Sequence, residues 1–201
     1  MTRRKILDAA NDLFERNGFD ETSIKDIAAA AGIAKRTIYL NFDSKASILL
    51  AYFDDWLEDV VAEMARRPAD ETLDEMVIAT LAAQTRRGWT DDRAASEMDR
   101  PHPILSFLAE GNPMIAGHVT QSWIRAQDAL VDIFRTRDRY PPDSVIPRTK
   151  AAAVYASWMA TVLTFRDQFA GTSVAPGSTH DVGAASITAL ARGVDSPPEP
   201  V

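Results

Sequence analysis

The stretch GIAKRTIYLNFDSK, residues 32–45, decides the fold of the N-terminal part of the chain. Its apolar residues Ile33, Ile38 and Phe42 are expected to be buried, and the last two lie four residues apart on one helical face. Lys35 and Arg36 begin the same helix and are expected to be exposed. The stretch therefore predicts a short helix that buries one face and presents a basic one.

A second short helix precedes this one. Ser23, followed three residues later by Asp26, is a capping-box pattern, which satisfies free amide groups at a helix start. Gly32 ends that helix, and two short helices joined by a glycine-containing turn form a helix-turn-helix unit. An amphipathic helix over residues 3–17, stopped by Gly18, lies before the unit, and a long helix begins at residue 43 or 44.

The rest of the chain also predicts helices, which makes the predicted fold class all-α. They span residues 72–87, 113–137, 148–170 and 181–192, with a short helix near residues 103–110 and a polar connection at residues 89–100. We expect an N-terminal three-helix domain at residues 1–47, a second helical domain at residues 48–193 and a disordered tail at residues 194–201.

The charge of the 201-residue chain is unevenly distributed. A net charge of −7 would argue against a nucleic-acid partner if it were spread evenly. Residues 1–50, however, hold eight Lys and Arg against seven Asp and Glu, whereas the remainder holds 14 against 22. A local basic surface on the helix-turn-helix unit is therefore still expected.

The sequence lacks the residues that several classes of protein function require. With no cysteine there is no disulfide, no thiolate nucleophile and no cysteine-based zinc site. His102, His118 and His180 are far apart and have no metal-ligand spacing, so we predict no metal, no cofactor and no enzyme activity. No apolar run approaches the roughly 20 residues of a membrane span, and the charged N-terminus lacks a signal-peptide core, so we expect a cytoplasmic protein.

The helix-turn-helix unit suggests how DNA would be read. Its second helix enters the major groove by its N-terminal end, while flanking groups grip phosphates. Lys35 or Arg36 can donate to guanine O6 and N7, and the methyl group of Thr37 can contact a thymine methyl group. Taken alone, the same charges could instead only solvate the outer face of a three-helix domain.

The residue order across this segment resembles the N-terminal signature of the TetR family of bacterial transcriptional regulators, without a gap from about Ile6 to Leu49. It includes Thr22-Ser23-Ile24, Ile27-Ala28, Ala31-Gly32-Ile33, Thr37-Ile38-Tyr39, Phe42 and Lys45. Leu40 departs from the family, which often has an aromatic or polar residue there. The resemblance implies a DNA-binding domain joined to a helical domain for effector binding and dimerisation. It implies contacts to bases or nearby backbone for Lys25, Lys35, Arg36, Thr37 and Tyr39, and mainly to phosphates for Ser23, Asn41 and Lys45.

Two arguments predict a homodimer. One short recognition helix makes too few contacts for operator-grade affinity, whereas two helices on a two-fold axis can read a palindrome. The resemblance also implies that the last two long helices form a four-helix bundle between subunits. Their small residues would allow close approach or would merely favour helix formation; they include Ala152, Ala156, Ala160, Ala185 and Ala189.

The middle helices are rich in aromatic residues and methionine, which predicts a pocket for a small hydrophobic or aromatic effector. Each of these side chains could equally belong to the core. The predicted ligand-binding residues are Phe107, Met114, His118, Trp123, Trp158, Met159 and Phe165.

Two functions follow from this reading. The first is a dimeric transcriptional regulator, a repressor released from a palindromic DNA operator when the effector binds. The second is a helical dimer that keeps a DNA-binding frame but acts through a protein partner or as a non-regulatory binding protein.

Overall fold

The computed structural model describes residues 2–89, 104, 108, 112–172 and 177–194. All the regular elements in these ranges are α-helices, which confirms the predicted all-α class. The helices are α1 (Thr2–Asn17), α2 (Ile24–Ala30), α3 (Lys35–Tyr39), α4 (Lys45–Arg66), α5 (Leu73–Arg86), α6 (Pro113–Arg137), α7 (Ile146–Phe169) and α8 (Thr179–Val194). Within the described ranges, no helix combines the length and apolar character that crossing a membrane requires.

The described residues form two compact units. Unit 1 contains residues up to 56 together with those from 104 to 120, and unit 2 contains residues 57–89 and 121–194. Unit 1 therefore holds more than the predicted domain of residues 1–47. The added part includes Asp55 of α4, which forms an ion pair with Arg3 of α1.

The core of unit 1 is built from the apolar faces that the sequence predicts. Ile38 is fully buried and Phe42 is nearly so, whereas Ile33 is only half-buried. Gly32 has a φ of 65°, a left-handed conformation that glycine adopts without steric cost and that ends α2. The other core residues of α1, α2 and α4 include Ile6, Leu7, Phe14, Ile27, Ile48, Leu49 and Phe53.

The turn between α1 and α2 also follows the sequence. Gly18 has a φ of 86°, and its amide donates to the carbonyl of Phe14 at 2.9 Å. The Phe19 ring then folds back to within 5.2 Å of the Phe14 ring centre. The Thr22 hydroxyl donates to the Gly18 carbonyl at 2.8 Å, which fixes the entry into α2.

Unit 2 packs α8 against α5 and α7. The Ser157 hydroxyl of α7 donates to the Gly183 carbonyl of α8 at 3.1 Å. A Cβ atom at Gly183 would meet Leu81 Cδ1 at 3.0 Å, so the glycine permits a close approach of α8 to α5. A second cluster ties α4 to α5, where Arg87 contacts Asp59 at 2.6 Å and Glu63 at 2.5 Å.

Most predicted helix ends are confirmed to within two residues. Thr72 caps α5 through a capping box with Glu75, and α6 spans the predicted residues 113–137. α7 begins two residues early because Pro147 is tolerated in the first turn, where its missing N–H is not needed. α8 also begins two residues early, because Ser178 and Asp181 form a side-chain and backbone cap that sequence reasoning missed.

Some predicted features fall mainly outside the described residues. Only Trp89 is described in the connection at residues 89–100, and only Ile104 and Leu108, both helical, near residues 103–110. Of the predicted tail at residues 194–201, only Val194 is described, as the last residue of α8.

Candidate nucleic-acid interface

The outer face of α3 is set by its one buried residue, Ile38. Arg36 and Leu40 lie two residues before and after Ile38, so at 3.6 residues per turn both point away from the core. The Leu40 amide donates to the Arg36 carbonyl at 3.1 Å, and Leu40 keeps helical backbone angles as the C-cap. A guanidinium and an isobutyl group therefore form the outermost line of the helix.

The other predicted contact residues of α3 flank this line. Lys35 is exposed, with Nζ 5.7 Å from the centre of the half-exposed Tyr39 ring. Thr37 is partly buried, and its carbonyl accepts from Asn41 Nδ2 at 2.7 Å. Asn41 thus closes the end of α3, although its side chain remains exposed.

The cations of unit 1 differ in how far they are neutralised. On α1, Arg3, Arg4 and Arg16 each pair with a carboxylate, at Asp55, Asp8 and Asp12. On α2 and α3, Lys25 and Arg36 are exposed and have no ion-pair partner among the residues that the structure describes. Lys25 and Arg36 are therefore available to an external anion, as is the exposed Lys5 of α1, which has no ion pair with the described residues.

Ser23 serves mainly as the N-cap of α2. Its hydroxyl oxygen accepts from the Asp26 amide at 3.2 Å, and the Ser23 amide donates to Asp26 Oδ2 at 3.0 Å, as predicted. Hydrogen bonds from the Ser23 side chain and backbone lower the pKa of the Asp26 carboxyl below its usual value. Ser23 is exposed, so it remains on the surface that would face phosphates.

The side chain of Lys45 makes contacts that the sequence did not predict. Its Nζ donates to the carbonyl oxygens of Phe19, Asp20 and Thr22, and lies 4.2 Å from the centre of the Phe19 ring. An ammonium group has three donors, and here each faces a carbonyl oxygen. Lys45 therefore holds the α1–α2 turn against the start of α4, a role different from the phosphate contact that the resemblance implies.

Comparison with known proteins identifies the segment that contains these residues. Residues 6–52 match the family model described as bacterial regulatory proteins, tetR family. The N-terminal domain belongs to the tetR family. This match spans α1 to the start of α4 and confirms the resemblance that the sequence pattern indicated.

Curated relatives of the tetR-type domain are regulators rather than enzymes. The chain is 35% identical over 60 residues to a fatty acid metabolism regulator protein of Bacillus subtilis. The aligned segment covers 30% of this chain and 31% of that protein. It is 40% identical over 58 residues to the transcriptional repressor KstR2 of Rhodococcus jostii, covering 29% of this chain and 28% of the relative. The chain thus spans about a third of the length of these relatives.

Solved structures extend the likeness of fold to nearly the whole chain. The FadR repressor of Thermus thermophilus, solved with lauroyl-CoA, has a TM-score of 0.59 at 21% identity and covers 99% of both chains. A tetR-type regulator from Syntrophomonas wolfei has a TM-score of 0.60 at 16% identity, over 97% of this chain and 95% of its own. At such identities the likeness establishes the fold alone: a tetR-type helix-turn-helix followed by a helical domain.

The predicted ligand-binding residues are distributed over both units. Trp123 is buried in unit 2, with its ring centre 5.1 Å from that of Trp158. Tyr155, which sequence reasoning missed, completes this cluster at 5.3 Å from Trp123 and 6.1 Å from Trp158. Phe165 is fully buried and Met159 half-buried in the same unit.

The remaining predicted ligand-binding residues lie elsewhere. Met114 is 62% exposed in unit 1. His118 Nε2 is hydrogen-bonded to Asp54 Oδ2 at 2.9 Å, a pairing of α6 with α4 that spacing along the chain could not indicate. Phe107 lies outside the described residues. No group of side chains suited to hold a metal ion occurs within the described ranges.

Most of the predicted dimer residues are exposed. Ala152 and Ala156 of α7, and Ala185 and Ala189 of α8, are exposed, while Ala160 is half-buried. Two larger apolar side chains on the same helices, Leu163 and Leu190, are 40% and 38% exposed. The two adjacent helices therefore present small apolar residues outward.

Proposed function

We propose that the protein is a dimeric DNA-binding transcriptional regulator. The observation that carries the proposal is the outer face of α3, where Arg36 is exposed and has no ion-pair partner among the described residues, within a segment that matches the tetR family. An exposed guanidinium on a helix-turn-helix can donate to guanine O6 and N7 in the major groove. The acidic remainder of the chain does not cancel this local charge.

The contacts divide into base readout and backbone positioning. Lys35 and Arg36 would reach base edges, with Thr37 and Tyr39 beside them. Lys25, Ser23 and Asn41 would face phosphates, since all three are exposed. Lys45 would act by holding the α1–α2 turn, because its ammonium group is already engaged.

The dimer would form through α7 and α8. Ala152 and Ala156 are four residues apart on α7, and Ala185 and Ala189 are four apart on α8, so each pair lies on one helical face. Exposed small apolar residues permit close packing of a second copy. Two recognition helices on a two-fold axis would then read a palindrome with half-sites about one helical turn apart.

Regulation would follow from a shift between two arrangements of the dimer. A ligand that prefers the arrangement with wrongly spaced recognition helices would release the operator. We propose that the protein is a repressor and that its effector is hydrophobic. The repressor would act in the cytoplasm, where the DNA lies. The aromatic cluster of unit 2 supports this class of ligand, as does the likeness in fold to the FadR repressor solved with lauroyl-CoA.

A titration against salt separates this function from a helical protein that acts through a protein partner. Fluorescence anisotropy would measure binding of the folded dimer to a random-sequence duplex from 50 to 200 mM salt, where counterion release makes real phosphate binding fall steeply. Arg36→Gln and Lys25→Gln should flatten the slope. Arg16→Gln, which removes a cation already paired with Asp12, is the matched control. Weak binding with no salt dependence would favour the partner-binding protein.

The effector site has a spectroscopic test. Because the rings of Trp123, Tyr155 and Trp158 are close-packed, a ligand that enters there must separate them and change tryptophan fluorescence. Acyl-CoA thioesters of graded chain length would be added to the operator complex. We expect the Trp158→Ala variant to bind the operator like the parent and to release it less in response to the acyl-CoA. Unchanged release in that variant would remove Trp158 from the site.

A further inference from the structure

Leu40 is the most exposed large apolar side chain in the described part of the chain. It is 75% exposed and lies on the face of α3 opposite the buried Ile38. Leaving such a side chain in water forgoes the free energy of its burial, which is about 1.5–3 kcal/mol for a whole leucine. Among the described residues of unit 1 no contact requires a leucine there, because the C-cap geometry is made by backbone atoms alone.

The position of Leu40 is one turn beyond Arg36 on the outermost line of α3. The hydrogen bond from the Leu40 amide to the Arg36 carbonyl shows that the helical geometry continues to this residue. Leu40 therefore faces the same surface as Arg36, with a shorter side chain. On the proposed function, that surface is the floor of the major groove.

We propose that Leu40 is a specificity-determining residue that contacts the C5-methyl group of a thymine in each half-site. This inference rests on the proposed DNA-binding function. A leucine side chain can neither donate nor accept a hydrogen bond, and the thymine methyl group is the apolar group that base edges present in the major groove. Contact between the two removes both from water.

The spacing along α3 also predicts where this thymine lies. Four residues of α-helix advance about 6 Å, close to two base-pair steps of about 3.4 Å each. If Arg36 donates to a guanine, the thymine read by Leu40 should lie about two base pairs away in the same half-site. Arg36 and Leu40 would together read a polar and an apolar feature of one short sequence.

The test removes the thymine methyl group and the leucine isopropyl group in separate changes. The duplex is the palindrome that the protein itself retains from a random library, with single thymines replaced by deoxyuridine symmetrically in both half-sites. Deoxyuridine keeps O4 and lacks only the methyl group. Dissociation constants would be measured by anisotropy for the parent, Leu40→Ala and, as a second variant, Leu40→Ser. Val145→Ala, which truncates a side chain 70% exposed in unit 2, is the matched control.

We expect one thymine position at which the parent loses about four-fold affinity per half-site on replacement, the effect of one buried methyl-sized group. Both Leu40 variants should show no loss at that position, while Val145→Ala should behave as the parent. The inference is overturned if no position behaves in this way. Equal weakening of all duplexes by Leu40→Ala would overturn the inference, because it indicates a contact to sugar. A change only in the association between copies of the protein would overturn it as well.

The proposed function fails separately from this inference. If the folded parent retains no palindrome from the library, both are overturned before any variant is made. If the parent retains a palindrome and the loss on thymine replacement persists in Leu40→Ala, only the role of Leu40 is overturned.

Discussion

The Lys45 ammonium lies 4.2 Å from the centre of the Phe19 ring and donates to the Thr22 carbonyl at 2.9 Å. These residues are more than 20 positions apart in the chain, so the contact joins the α1–α2 turn to the first turn of α4. A cation between an aromatic face and carbonyl oxygens is stabilised by both. Lys45 thereby fixes the position of α2, on which the helix-turn-helix depends.

Replacing Lys45 by methionine should lower stability and weaken DNA binding together. The loss of hydrogen bonds to a charged group and of the ring contact predicts a fall of about 1–3 kcal/mol in the free energy of unfolding. Because Lys45 is not expected to touch phosphate, the salt slope of DNA binding should stay unchanged. Urea unfolding and salt-dependent anisotropy measure the two effects.

Lys25→Met is the matched comparison for Lys45→Met. Lys25 is exposed and has no ion-pair partner among the described residues. Its loss should leave the free energy of unfolding unchanged. It should reduce the slope of DNA affinity against salt concentration by about 1, as expected for one phosphate contact. If Lys45→Met instead keeps full stability and reduces the slope by the same amount, Lys45 binds phosphate and the structural role is wrong.

Arg36→Ala should weaken operator binding by about 1–3 kcal/mol and relax the preference at one base pair of each half-site. The reason is the loss of a bidentate donor to guanine from the outermost line of α3. Sequencing of duplexes retained by the variant measures the preference at every position. Arg16→Ala, an exposed arginine on α1, should leave the preference unchanged. An unaltered preference in Arg36→Ala would refute the proposed docking of α3.

The capping box of α2 should give the stability of unit 1 a specific pH dependence. The pKa of Asp26 is lowered in the folded protein by its hydrogen bonds with Ser23. The ionised carboxylate therefore contributes stability that is fully present above its unfolded pKa, about 3.9, and is lost as pH falls through the lower folded pKa. Urea unfolding should show a difference between the parent and Asp26→Asn that shrinks as the pH is lowered through this range.

Ser23→Ala provides the control for this pH dependence. Loss of the cap should lower the free energy of unfolding by about 0.5–2 kcal/mol near neutral pH. In the Ser23→Ala background, Asp26→Asn should have a smaller effect, because the hydroxyl that bonds the carboxylate is gone. Equal effects in both backgrounds would show that the box does not couple the two residues.

Ala156→Arg should separate the subunits without unfolding them. Ala156 is exposed on α7, so arginine fits in the monomer but places two like charges in the proposed interface. Operator affinity should fall by at least about 100-fold, because the two linked half-sites no longer bind together. Light scattering on size-exclusion fractions would measure the mass. Ala129→Arg, at an exposed alanine on α6, should remain dimeric; a dimeric Ala156→Arg would exclude this face of α7.

Features set by neighbours in sequence could be predicted from the sequence. The capping boxes at Ser23 and Thr72 need partners only three residues away, and the turn at Gly18 needs one left-handed residue. The burial of Ile38 follows from the helical period alone. Such features depend on propensity and pattern, which a single sequence displays directly.

Features set by tertiary contact could not be predicted in this way. The His118–Asp54 and Lys45–Phe19 contacts join residues that only the packing of helices brings together. The same limit affects the aromatic set, in which Trp123 and Trp158 meet in unit 2 while Met114 is largely exposed in unit 1. A list of aromatic residues does not indicate which of them share a site.

The most direct test of DNA recognition by α3 is selection from a random duplex library by the purified dimer at moderate salt, with sequencing of the retained duplexes. We predict a palindrome whose half-sites lie about one helical turn apart, each with a position at which Arg36→Ala relaxes the base preference. Retention of no preferred sequence by protein shown to be folded and dimeric would contradict it.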